Sequence, residues 1–215
     1  MTGPRARGAV VERLRAETRP EHDAIELALD WERRTASVGA YAEWLRQLHA
    51  FHGWWEPVVA GLVDDPLFFE PRRKLGLLVG DLDRLSLAPP RRRPGSSHDG
   101  GAEGALPPAN GGVTGPRPTP GRDEDKGLTL ATRAEALGSM YVLEGSTLGG
   151  KLIARRVRDV LGFEAGYHDP YGDRAGAMWR AFQARIAADV EPTQEDAAVD
   201  AARRTFRHLR ERLAA

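Results

Sequence analysis

Residues 88–127 read APPRRRPGSSHDGGAEGALPPANGGVTGPRPTPGRDEDKG, and no other stretch constrains the fold as strongly. It holds 8 of the 15 prolines and 9 of the 24 glycines, no aromatic residue, and only Leu106 and Val113 as larger aliphatics. Such a segment cannot bury enough apolar surface to offset the entropy lost on ordering, so it is expected to be a disordered, flexible insertion. A core must therefore be assembled from 1–87 together with 128–215. A length of 215 residues fits one domain, 1–215, interrupted by this insertion.

The charge is balanced, with 31 basic and 31 acidic side chains. A binder of phosphate backbones normally carries a basic excess, so nucleic acid is not an expected partner. The absence of cysteine excludes disulfide frameworks, thiolate nucleophiles, cysteine-ligated zinc and iron–sulfur clusters. From Met1 to Arg15 there is no apolar core of a secretion signal, and no run is long enough to span a bilayer, so a soluble cytoplasmic protein without membrane partners is expected. Only Lys74, Lys126 and Lys151 are lysines, which leaves nearly all positive charge on arginine, the better fork for carboxylates.

Outside the insertion the apolar period is helical. Over 37–62, Tyr41, Trp44, Leu45, Leu48, Phe51, Trp55, Val58, Val59 and Leu62 follow i, i+3, i+4, i+7 spacing, with Ser37 placed to cap the start. Leu75, Leu78, Leu82 and Leu85 predict a shorter helix after Pro71. The stretch 128–161 predicts the longest, with Leu130, Ala134, Leu137, Tyr141, Leu148, Leu152, Val157 and Leu161 near one broad face and Gly162 as its stop. Trp179, Phe182 and Ile186 mark another, and a last helix over about 194–213 opens with a capping-box-like Thr193–Asp196. No segment alternates with period two. The expected class is an all-α bundle.

The first chemical constellation lies in RLRAETRPEHDAIE. Around His22, Thr18 stands one turn before, Glu26 one turn after, and Arg19 and Arg15 upstream along one helical stripe. Pro20 either kinks this helix or begins a new one. Glu26 is placed to orient neighbouring polar groups, and the arginines to meet an anionic ligand edge. A histidine that ligates haem iron, with arginines ready for the propionates, has this pattern, and so does an inert histidine of an amphipathic helix. His49, His52, His98, His168 and His208 lack such flanks and are expected to be structural or solvated.

The second constellation is GSMYVLEGSTLGGKLIARR, residues 138–156. Glycines inside a helix cost roughly 1 kcal/mol each relative to alanine. Gly138, Gly145, Gly149 and Gly150 all fall within it, and Gly145 and Gly149, one turn apart, clear one strip of side chains. Close helix packing explains such a strip, and so does close backbone approach to a flat ligand with a kink over it.

Together, T-R-P-E-H-D-A-I-E near the N-terminus and Y-V-L-E-G-S-T-L-G-G in a long central helix resemble the haem oxygenase family, and more closely its bacterial branch associated with bacteriophytochromes. Tyr171-Gly172-Asp173, followed by Trp179 and Phe182, is similar to that branch as well. The resemblance covers nearly all of 8–87 and 128–213. It implies a haem-oxygenase-like helical bundle in which haem lies between a proximal helix carrying His22 as the iron ligand and a distal helix carrying Gly145 and Gly149. It further implies that Arg15, Arg19 and Tyr141 stand near the propionates with Thr18 and Glu26 alongside, and that Phe206 lines the pocket. The implied reaction is O2-dependent oxidation of haem, both cofactor and substrate, to biliverdin, CO and iron. Electrons would come from an external ferredoxin-like, flavodoxin-like or reductase partner, with a bacteriophytochrome as the acceptor of biliverdin.

Two features depart from the wider family. Many members carry an aspartate directly after the first distal glycine, where it holds water; here the residue is Ser146, and the bacterial branch also lacks the aspartate. Backbone carbonyls and Ser146 would then hold that water. The insertion before the distal helix is the other departure, and it would have to loop away from the haem edge. A distal wall of backbone without a strong acid–base side chain suits ring oxidation, and a neutral histidine supplies a moderate axial ligand. A non-catalytic haem sensor or carrier would keep the same residues. A di-iron oxygenase is disfavoured because the chain has no Glu-x-x-His motif, and a thiaminase-like relative by the absence of cysteine. A ligand-free interaction module would fail to bind hemin.

Overall fold

The computed structural model describes residues 9–87 and 128–214; the expected insertion, 88–127, lies outside the described residues. Among the described residues the chain is all-helical, as its periodicity predicts, and no helix is long and apolar enough to cross a membrane.

The chain begins with α1 (Ala9–Glu17), α2 (Arg19–Leu29) and the single turn α3 (Trp31–Arg34). Helix α4 (Val38–Val63) starts where Ser37 accepts the amide of Ala40 at 3.2 Å. It buries Tyr41, Trp44, Leu45, Leu48, Phe51, Trp55 and Val59, while Val58 is exposed beside that face. The short α5 (Pro66–Phe69) and a 3-10 turn lead to α6 (Leu75–Leu87). A side chain from another helix starts α6: the Glu56 carboxylate accepts the amides of Lys74 at 2.7 Å and Leu75 at 2.8 Å.

Helix α7 (Arg133–Leu161) begins five residues later than the apolar pattern suggests. Thr132 and Glu135 form a reciprocal capping box there, and Gly162, in the left-handed region at φ 59°, ends the helix. Helices α8 (Ala175–Asp189) and α9 (Glu195–Ala214) complete the bundle. The box ahead of α9 is Glu191–Gln194, around the 3-10 turn Pro192–Gln194, rather than the expected Thr193–Asp196. Pro192 favours that earlier start because its fixed φ suits the first position of a helical turn.

Two apolar clusters share α4 and α7. One gathers Leu14, Phe51, Trp55, Leu137, Met140, Phe182, Ile186 and Val199. The other, toward the C-terminal half of α7, gathers Tyr41, Trp44, Leu45, Leu78, Val157 and Leu161. Burying one such side chain contributes about 1.5–3 kcal/mol. Helix α2 is different: it buries no residue and leans on α9 through Ile25, an Arg203–Glu21 ion pair of 3.0 Å and the His22–Phe206 contact. The outer helix is thus held by its inner edge alone.

Candidate functional site

Pro20 begins a new helix instead of bending an old one. At the junction the Thr18 amide and hydroxyl both donate to the Leu14 carbonyl, at 3.0 and 2.6 Å, and α2 starts at Arg19 with Pro20 in its first turn. Thr18 is therefore buried at the hinge with its hydroxyl engaged. One turn on, His22 is half exposed and its ring stands edge-on to Phe206, centroids 5.9 Å apart. Its Nδ1 lies 3.7 Å from Asp23 and its Nε2 3.6 Å from Glu26. Both separations exceed hydrogen-bond length, so the ring nitrogens stay open to a ligand while two carboxylates stand by. One ligand atom from each of His22, Asp23 and Glu26 falls within 4.8 Å of the others, which also suits an exposed cation. Arg19 and Arg15 are exposed, Arg19 lying 3.7 Å from Asp23.

The four glycines of α7 divide into two pairs with opposite surroundings. A Cβ at Gly138 would come within 2.7 Å of the Ala198 carbonyl carbon and closer to its oxygen; one at Gly150 would come within 3.2 Å of the His168 carbonyl carbon and closer to its oxygen. These two are packing glycines, required by α9 and by the chain around His168. A Cβ at Gly149 would meet nothing within 4 Å, and one at Gly145 only the Trp179 ring at 3.7 Å. Gly138 and Gly149 are eleven residues apart, about three turns, and so share a face. That face is filled by α9 at one end and bare at the other. Leu148 and Leu152, which the apolar pattern places near the buried face, flank the bare strip at 47% and 58% exposure.

The remaining expected residues surround these two faces. Tyr141 packs on Trp179 at 5.3 Å, on the same side as Gly145. Burial pushes the Tyr141 phenol up while the Arg15 charge acts against it, which puts Arg15 within electrostatic range of Tyr141. Phe206 is buried beneath His22. Ser146 is exposed, and its hydroxyl donates to the Leu143 carbonyl at 2.9 Å. A Cβ built on either glycine would have no His22 atom within 4 Å, so His22 and the glycine strip are not in contact. Two cavities, of about 250 and 340 Å³, lie elsewhere and are lined by none of His22, Gly145 and Gly149.

Beneath the glycine segment lies a buried polar network that sequence reasoning misses. Glu144, 2% exposed and directly before Gly145, accepts the Lys74 ammonium at 2.7 Å and the Tyr171 hydroxyl at 2.8 Å, with Arg72 Nε 3.5 Å from its other oxygen. Nearby, Glu56 meets His52 Nδ1 at 3.1 Å, and His52 Nε2 meets the Tyr167 hydroxyl at 3.1 Å. Burial lowers the basicity of His52 despite Glu56, and burial alone depresses His168, paired with the Tyr41 hydroxyl at 3.0 Å, to about 3. Burial would raise the Glu56 carboxyl, but hydrogen bonds from His52 and the Lys74 and Leu75 amides hold it below its ordinary value. Both histidines are buried, and each meets a tyrosine hydroxyl. The network ties α4, α6, α7 and the chain around 167–171 together, and it fixes the helix from which the open glycines project.

No model of a protein family and no curated protein matches this sequence.

Proposed function

We propose that this protein binds haem between α2 and the bare strip of α7 and oxidises it, as a haem oxygenase-like enzyme, to biliverdin, CO and iron. The observation that carries the reading is Gly149: on a helix face closed by α9 at Gly138, it leaves open backbone flanked by exposed leucines. Helix packing explains Gly138 and Gly150 but not Gly149. A flat apolar ligand accounts for it, because glycine lets a ring and a small ligand approach the backbone without meeting a side chain.

The residues fit haem by their chemistry. His22 offers a free ring nitrogen to iron, and Glu26 and Asp23 stand close enough to orient the imidazole and raise its basicity once a hydrogen bond closes. Phe206 supports the back of the His22 ring. Arg15 and Arg19 are exposed and could meet propionates, and Arg15 is within electrostatic range of the Tyr141 phenol. Bound haem supplies the iron that activates O2 and the ring that is cleaved. Gly145, with Trp179 against it, and Gly149 supply a distal wall without an acid–base side chain. Electrons come from an external donor protein of ferredoxin, flavodoxin or reductase type, and a bacteriophytochrome is the proposed acceptor of the product.

A haem carrier or sensor on the same fold is the second reading. It is favoured by Ser146, whose hydroxyl hydrogen is given to the Leu143 carbonyl, so that it could hold a distal water only as an acceptor and could not donate a proton to it. Substituting His22 tests the ligand in either reading. Because His22 is half exposed and makes no hydrogen bond, His22→Ala loses chiefly its edge-on contact with Phe206 and should lower stability by about 1 kcal/mol while abolishing the histidine-ligated ferric spectrum. An unchanged spectrum would place the iron ligand elsewhere.

A further inference from the structure

The bare strip of α7 is not equally open along its length. At the Gly149 end an added Cβ would meet nothing within 4 Å, whereas at the Gly145 end it would meet Cη2 and Cζ3 of Trp179, at 3.7 and 3.9 Å. Those two atoms form the outer edge of the indole. The glycines stand about 6 Å apart along the helix, so the strip passes from closed to open within roughly one turn. Leu148 and Leu152, which flank it, are exposed and change rotamer readily.

Trp179, a partly buried residue of α8, is braced where the leucines are not. Its ring stacks on Phe182 at 5.7 Å and 19°, and the fully buried Phe182 stacks in turn on Phe68 at 6.3 Å and 21°. The guanidiniums of Arg72 and Arg185 stand 4.1 and 4.7 Å from the Phe68 ring centroid. Both cations are themselves held, Arg72 by the Phe68 carbonyl at 2.7 Å and Arg185 by Asp65 at 2.7 Å and Asp189 at 2.6 Å. Tyr141 packs on the same indole at 5.3 Å. A ring stacked and flanked in this way is a firm stop.

Resting on the haem reading above, we propose that Trp179 is a specificity-determining residue: its indole edge stops a flat ring short of Gly145 and keeps it over Gly149. The substituents of haem differ around the ring. A stop at one end of the strip therefore admits one seating and penalises the others, and the seating decides which meso carbon lies against open backbone and is oxidised.

Trp179→Phe tests the assignment, because phenylalanine keeps a ring for the Phe182 stack and lacks the outer edge that carries Cη2 and Cζ3. Trp54→Phe is the control, a tryptophan that packs on Phe51 and His208 instead. Two readouts apply to the full-length protein: the haem-methyl proton resonances of the ferric hemin–cyanide complex, one set for each seating, and the biliverdin isomers formed on reduction in air. The unaltered protein and Trp54→Phe should show one predominant set and one predominant isomer. Trp179→Phe should still bind hemin but lower the ratio of major to minor seating, and of the matching isomers, by about two- to tenfold, the range open to one aromatic contact. Trp179→Tyr, whose hydroxyl restores part of the reach, should lie between the two. Unchanged ratios in Trp179→Phe overturn the assignment and leave the haem reading intact, as does a mixture of seatings in the unaltered protein or an equal shift in Trp54→Phe. Failure of the unaltered protein to bind hemin overturns the haem reading and this assignment with it.

Discussion

The two pairs of glycines on α7 should respond to one added methyl group with opposite signs. Alanine is the better helix former by about 0.8–1.0 kcal/mol. At Gly149 the new Cβ meets nothing within 4 Å, so Gly149→Ala should stabilise the protein by about 1 kcal/mol. At Gly138 the Cβ would fall within 2.7 Å of a backbone carbonyl carbon on α9, and both helices belong to the core. Neither backbone can yield cheaply, and overpacking of this kind costs about 1–3 kcal/mol. After the gain in propensity, Gly138→Ala should still lose about 2 kcal/mol at the upper end of that range, a gap of about 3 kcal/mol between variants. Gly150→Ala should behave like Gly138→Ala, because the His168 backbone blocks it. Urea unfolding of the ligand-free protein, with an unchanged denaturant slope, measures all three. A Gly149→Ala variant as destabilised as Gly138→Ala would refute the open strip and the function proposed for it.

Three further outcomes follow from named contacts. Gly149→Leu should suppress or redirect hemin oxidation without lowering the melting temperature of the ligand-free protein, since leucine occupies the open space; normal turnover with a lowered melt would count against a haem-facing Gly149. Lys74→Ala removes the shortest ion pair to buried Glu144 and should destabilise by about 3 kcal/mol, read by denaturant unfolding, with Glu144→Gln in the same background recovering part of the loss. Stability should hold above pH 6.5 and fall below it, because the unfolded chain protonates His52 and His168 near 6.5 while the folded protein keeps both neutral. Each contributes a slope of about 1.4 kcal/mol per pH unit, so unfolding free energies at pH 7.5 and 5.5 should differ by roughly 1–3 kcal/mol, and a flat profile would contradict the burial of both rings.

The class of fold was legible because period and caps act locally. Ser37 starts α4 and Gly162 stops α7 as their residue types require. The apolar pattern starts α7 too early, although Thr132 and Glu135 spell its capping box, because Leu128 and Leu130 extend that pattern beyond the helix. Which glycines face another helix depends on where α9 crosses, and nothing within GSMYVLEGSTLGG encodes that crossing. Leu148 and Leu152 show the same limit: their spacing marks a face, but only the path of α9 and α8 decides whether it is covered. His52 and Glu56, four apart on α4, are the one pair of these networks that helical spacing could suggest; the links of Glu144 to 72, 74 and 171, and of the Glu56 pair to 74 and 167, span separations at which sequence carries no pairing signal. Glu56 as the cap of α6 is invisible for the same reason.

Hemin titration followed by reduction in air tests the central reading most directly. The account predicts saturable binding with a Soret band, lost in His22→Ala, that converts on adding an electron donor to the broad absorption of biliverdin with release of CO. A protein that fails to bind hemin, or that holds it with a Soret band unchanged through repeated reduction in air, contradicts the enzyme.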